Sequence, residues 1–190
     1  MKAKFLGLAF AALGYPSDDG LSATLSNLRR MLSANLGIRV ATLEADGGWD
    51  SHQNQKQDQA GNLTLLGGCL AAWQAELAAH GLANRVVTVV WSEFGRRVED
   101  NDSQGTDHGA GGLMLVSGAT VQGGLIHDPR RTAAPGWNLG QFASDRWQGN
   151  VPVGIDYRDV YAGLLQHHLG VAPRRVLTAR YRGTPLRVTV

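Results

Sequence analysis

The chain carries a single cysteine, Cys69, in 190 residues, so no intrachain disulfide can staple it, and cysteine usage leaves its compartment open. An excess of one charge is also missing. Lys and Arg total 18 against 16 Asp and Glu, a formal net charge of +2. The basic residues are scattered apart from Arg29-Arg30, Arg96-Arg97, Arg130-Arg131 and Arg174-Arg175. A nucleic-acid partner calls for a basic face or stripe, which this pattern excludes. Nor is there a run able to span a membrane: Phe5–Leu13 is far too short. Internal repeats and low-complexity tracts are absent as well.

What remains is the composition of a globular protein, 43% hydrophobic and 18% charged. The length fits one domain over residues 1–190, large enough to bury a core. Glycine is plentiful at 25 residues, which points to tight turns and close backbone approaches. At the N-terminus Lys2 and Lys4 precede Phe5–Leu13, and Ala9-Phe-Ala11 has the small-x-small spacing of a cleavage site. Cleavage there would leave a pre-sequence well short of the usual ~15–30 residues. The run therefore reads as a buried helical start, and the chain as cytoplasmic as expressed.

Leu21, Leu25, Leu28, Leu32 and Leu36 recur at helical spacing up to Gly37, and Ile38–Leu43 then reads as a strand. A second helix follows on Leu66, Leu70, Trp73 and Leu77, with Cys69 beside the stripe as a small core residue, and His80-Gly81 ends it. Arg85–Trp91 and Leu113–Val116 read as buried strands. After a glycine-rich turn and a short strand comes a long surface excursion over 129–155, with His127 just before it as a structural or exposed residue. Asp156-Tyr-Arg-Asp159 opens a last helix like a capping box, Val160, Leu164, Leu165 and Leu169 form its buried face, and Gly170 ends it. Arg175–Tyr181 and Leu186–Val190 alternate like a strand pair over 171–190. Strand, helix and strand in succession predict an α/β fold: a mainly parallel sheet flanked by helices, with a small antiparallel C-terminal edge.

Two polar loops leave the ends of the first two strands. One holds Asp46, Asp50 and His52 behind Gly47-Gly48; read alone, it is a Gly-Gly turn with Asp50 as a cap. The other, Ser92–Gly112, holds Glu93, Arg96, Arg97, Glu99, Asp100, Asp102, Asp107 and His108; read alone, it is a solvated acidic turn. Loops at the carboxyl ends of neighbouring parallel strands converge on one crevice, which would bring Asp50 and His52 towards Glu93, Asp107 and His108. Carboxylates with imidazoles make a ligand set for zinc, manganese or a similar divalent ion, and Arg96 and Arg97 could neutralise a bound oxyanion. A phosphate- or sulfate-ester hydrolase is the activity such a centre suits.

Gly47-Gly-Trp-Asp-Ser-His-Gln-Asn-Gln55, Trp91-Ser-Glu-Phe-Gly-Arg-Arg97, Glu99-Asp-Asn101 and Gly105-Thr-Asp-His-Gly109 closely resemble the family catalogued as domain of unknown function 1501. Gly123-Gly124 and Asp156-Tyr-Arg-Asp-Val-Tyr161 look like its later landmarks, and the likeness runs from about Tyr15 to Gly170. That resemblance implies an alkaline-phosphatase-like, sulfatase-like fold. It also implies His108, Asp50 and His52 as ligands of one metal, with Glu93 and then Asp107 as further carboxylates and Asp46 as a fallback for Asp50. Phe94 stands where a second-metal His would be, so one ion rather than two is implied. Family relatives look exported, and they carry an N-terminal portion with a metal-binding Asp and a nucleophile.

Ser17, Ser22 and Thr24 sit in no such nucleophile motif, so the chain resembles the C-terminal half of the fold, a truncated domain with no catalytic residue assigned. A second chain supplying the missing half, or self-association through exposed apolar surface, is the partner this implies, besides a small ester or anion. The alternative expectation is a non-catalytic metal- or anion-binding remnant, or an interaction domain of the same fold.

Overall fold

A computed structural model describes residues 14–16, 20–126, 148–178 and 181–190. The proposed helical start at Phe5–Leu13, His127 and the first part of the 129–155 excursion lie outside the described residues. The chain divides into two compact units, Met1–Val86 and Val87–Val190.

In the first unit the leucine stripe forms α1 (Gly20–Ser33), and a longer second helix, α2 (Gln55–Ala79), packs against it. Leu25, Cys69, Trp73, Leu77 and Leu82 form the buried cluster, with Leu21, Leu28, Leu32, Leu43 and Val86 against it. Cys69 is wholly buried and lies 3.4 Å from the Ser22 hydroxyl, as a core residue should. α1 stops short of Leu36: Asn35 turns left-handed at φ 52°, and Leu36 is left exposed. α2 begins well before its apolar stripe because Gln, Lys and Asp are tolerated or favoured in a helix, and Asp58 suits the positive first turn. Its end follows the sequence. Gly81 sits at φ 67°, its N–H bonds Ala78 O and the Leu82 N–H bonds Leu77 O, the pattern of a Schellman cap.

Ile38–Leu43 is not a strand; it has no regular secondary structure, with Val40 71% exposed and only Leu43 reaching the core. The expected parallel sheet depended on a crossover from that strand through α2, so it falls with it. The second unit holds two small antiparallel sheets instead. β1 (Thr88–Val90) pairs with β4 (Leu115–Ser117), Val89 opposite Val116, and β2 (Gly95–Asp100) pairs with β3 (Thr106–Gly109). The polar stretch taken for a loop is therefore a hairpin, and it returns the chain so that β4 must run antiparallel to β1. The fold is thus not an α/β domain with a large parallel sheet flanked by helices.

Among the described residues the C-terminal segment shows no strand pair either. Pro173–Arg175 is a 3-10 turn, and the chain end makes a single bridge, Thr189 with Val121. That end is held instead by α3 (Tyr157–His167). Asp156 caps the helix by accepting from the Arg158 N–H and guanidinium at 2.9 Å, but Asp159 does not close the capping box. Its carboxylate accepts the Tyr181 hydroxyl at 2.6 Å, and its carbonyl accepts the Leu186 N–H at 2.8 Å. Among the described residues no helix is long and apolar enough to cross a membrane.

The Tyr181 phenol is pushed up to about 12 by loss of solvation and by its bond to Asp159. A raised folded value means the folded state holds the proton longer than the unfolded one. This contribution is intact below the ordinary tyrosine range near 10 and is lost as pH rises towards about 12. Urea midpoints taken across that window should fall in the wild type and fall less in Tyr181→Phe; parallel curves would remove Tyr181 as the cause.

Candidate metal-binding loops

In the first unit the segment 44–54 is folded around Trp49. Its indole Nε1–H donates to Ala45 O at 3.1 Å and Asp46 O at 3.2 Å, and its N–H bonds Gly47 O at 3.0 Å. Gly47 sits at φ 128°, so the turn requires glycine, and a Cβ there would lie 2.7 Å from the Asn62 amide oxygen, which would have to swing away. The sequence then alternates. Ser51 is buried, and its neighbours Asp50 and His52 project outward on one side, 55% and 48% exposed at the side chain. Asp50 Oδ1 and His52 Nε2 stand 3.1 Å apart. Two donors on one tetrahedral ion with bonds of about 2.0–2.1 Å would be about 3.3 Å apart, so the pair suits chelation with little movement.

In the second unit the hairpin displays the other set. Arg96 and His108 are register partners, and Gly95 faces Gly109. The glycines let the strands close up: a Cβ on Gly109 would meet the Arg96 carbonyl carbon at 2.6 Å, and one on Gly95 would run into the Gly111 carbonyl. The tip is tied by Asn101, whose Oδ1 accepts from the Ser103 and Gly105 N–H groups at 2.9 and 3.0 Å. His108 is exposed, and its ring stacks on Phe94 with centroids 3.9 Å apart and planes 19° from parallel. The Arg96 guanidinium lies 5.3 Å from the centre of the same Phe94 ring and donates to Thr106 O at 2.7 Å.

Phe94, Arg96 and His108 therefore form one ordered face, with a cation and an imidazole side by side. Strand alternation sends Asp107 to the opposite face from His108, and Arg97 lays its methylenes against Gly149. Glu93 is exposed just before β2. Asp46 lies back against Gly20, while Asp50 keeps the His52 contact.

Sequence reasoning took Phe94 only as the place of an absent His. The structure gives it a role, as a platform for the ring that is present. The signal was the i, i+2 spacing of Phe94 and Arg96, which puts both on one face of a strand, but it has meaning only once the segment is known to be β. Stacking of this kind is worth about 0.5–1.5 kcal/mol. If His108 ligates a metal, Phe94→Ala should accordingly weaken that binding by up to about tenfold, and Phe94→Tyr should not. Titration with zinc in competition with a chelating dye measures this, and an unchanged affinity in Phe94→Ala would remove the platform role.

A family model described as "Protein of unknown function (DUF1501)" matches residues 24–181. Neither the search of curated proteins nor that of solved structures gives a match.

Proposed function

The chain belongs to the DUF1501 family, and from that membership and its two donor sets we propose that it is a metal-dependent hydrolase domain acting on phosphate or sulfate esters. Asp50 and His52 hold one divalent ion, zinc or manganese, with His108, and then Glu93 and Asp107, as the further ligands that the family resemblance implies. The observation that carries this is the Asp50–His52 pair, outward on one side of a turn whose shape is fixed by Trp49 and Gly47, with donor atoms 3.1 Å apart.

A divalent ion supplies Lewis acidity towards an ester oxygen when bound. The remaining tasks fall to the chain. Arg96, held in place by Thr106 O and the Phe94 ring, presents a guanidinium beside His108 that can pair with a non-bridging phosphoryl or sulfuryl oxygen. Because the guanidinium is already ordered, little side-chain entropy is lost when the anion arrives. Arg97 adds positive charge on the other face of the hairpin.

The test is hydrolysis of an aryl phosphate and an aryl sulfate ester with added zinc or manganese. Turnover that disappears in His52→Ala supports the reading. Absence of turnover with either metal would replace it with a non-catalytic metal- or anion-binding domain.

A further inference from the structure

The turn that carries Asp50 also forms one wall of a cleft of about 350 Å³ within the first unit. Asp46, Trp49, Asn62, Leu65 and Leu66 line it, together with Leu21 from α1. None of the metal donors just named is among its lining residues. We propose that this cleft binds a single polyhydroxylated ring, of sugar or polyol type, as the leaving group of the ester. The leaving-group role rests on the hydrolase reading above; the binding of the ring does not.

The chemistry of the walls selects the class. The Asp46 carboxylate is acceptor-only, whereas the Asn62 amide both donates and accepts. Neither side chain makes a hydrogen bond to another described residue. The Trp49 Nε1–H is already engaged by Ala45 O and Asp46 O, so the indole offers the cleft ring surface rather than a donor. With Leu65 and Leu66 it makes an apolar wall.

An occupant that satisfies all of this has one hydroxyl to give to Asp46, a neighbouring hydroxyl to exchange both kinds of bond with Asn62, and a C–H face for the indole and leucines. A polyhydroxylated ring has these groups on adjacent carbons. An ammonium ion would suit Asp46 alone, leaving the Asn62 amide donors unpaired, and an exposed carboxylate gains little from one solvated cation. The volume lies at the low end of the roughly 300–1,000 Å³ of small-molecule sites, which suits one ring rather than a chain of them.

The turn and the helix meet at the cleft: Gly47, at φ 128°, packs directly against the Asn62 amide. Trp49 and Asp50 are consecutive, so one rigid turn carries both a wall of the cleft and a metal donor.

The experiment is saturation-transfer NMR and calorimetry on the metal-free full chain, with glucose, galactose and myo-inositol as probes and ethylammonium as the contrasting one. Saturable binding of at least one hydroxylated probe is expected, weakened about tenfold or more in Asn62→Ala and in Asp46→Ala. Both residues are outside the buried core, and unchanged urea midpoints would show that the variants fold. No saturable binding of any hydroxylated probe, wild-type affinity in both variants, or binding of ethylammonium alone would overturn the assignment. Ring binding in a protein that turns over no ester supports the cleft and sinks only the hydrolase reading. Metal retention without ring binding sinks the cleft alone.

Discussion

Gly95→Ala is expected to destabilise the hairpin by about 3 kcal/mol and to abolish metal retention with it. Gly95 has an ordinary backbone conformation, so the reason is space. Its Cα faces the Gly111 carbonyl and lies within reach of the Gly112 N–H, and an added methyl group would meet backbone rather than a side chain that could swing away. β2 would have to retreat from residues 111–112, breaking the Gly95–Gly109 register and moving Phe94 from under His108. Gly123→Ala is the matched control, since a Cβ there meets nothing within 4 Å. It should stay within about 0.5 kcal/mol of wild type. Urea denaturation followed by circular dichroism compares the two, and equal midpoints would contradict the packing described.

His108→Ala is expected to lower zinc or manganese affinity at least about a hundredfold, more than the roughly 10–100-fold that loss of an outer-shell partner costs. The hairpin itself should survive. His108 is exposed, its neighbour Thr106 supplies the buried anchor of β3, and Asn101 ties the tip through two backbone N–H groups. The urea midpoint should therefore move little while metal binding collapses. Hydrolysis should fall with the metal and recover only partly at high metal concentration. A variant that keeps wild-type affinity would place the ion elsewhere or nowhere.

The helices were legible because their signals are local. The leucine stripe of α1, the Leu66–Leu77 stripe and His80-Gly81 each decide a short stretch of backbone without reference to anything distant. Strands were legible only in part: Arg85–Trp91 and Leu113–Val116 do contain β1 and β4, but how strands pair depends on distant parts of the chain. Ile38–Leu43 alternates as a strand should, yet a strand exists only where a partner supplies the ladder, and none does among the described residues. The parallel sheet inherited that error. The hairpin was missed because its charged residues read as solvated loop, whereas its paired glycines and the Asn101 turn are what make it β.

Asp50, His52 and His108 were singled out from residue type and motif, and each is displayed to solvent on an ordered support. What sequence could not give was the division of labour on the hairpin: Arg96 beside His108, Arg97 and Asp107 turned away, and Phe94 as the platform. Those follow from strand alternation, which a reader expecting a loop has no cause to apply.

Metal content tests the central claim most directly. Full-length protein loaded with zinc or manganese and passed through a desalting column should retain about one ion per chain by elemental analysis, as the proposed ligation by Asp50, His52 and His108 implies. His108→Ala and His52→Ala should lose it, and His80→Ala, at the exposed end of α2, should keep it. Metal-free wild-type protein, or equal retention in all three variants, would contradict the assignment.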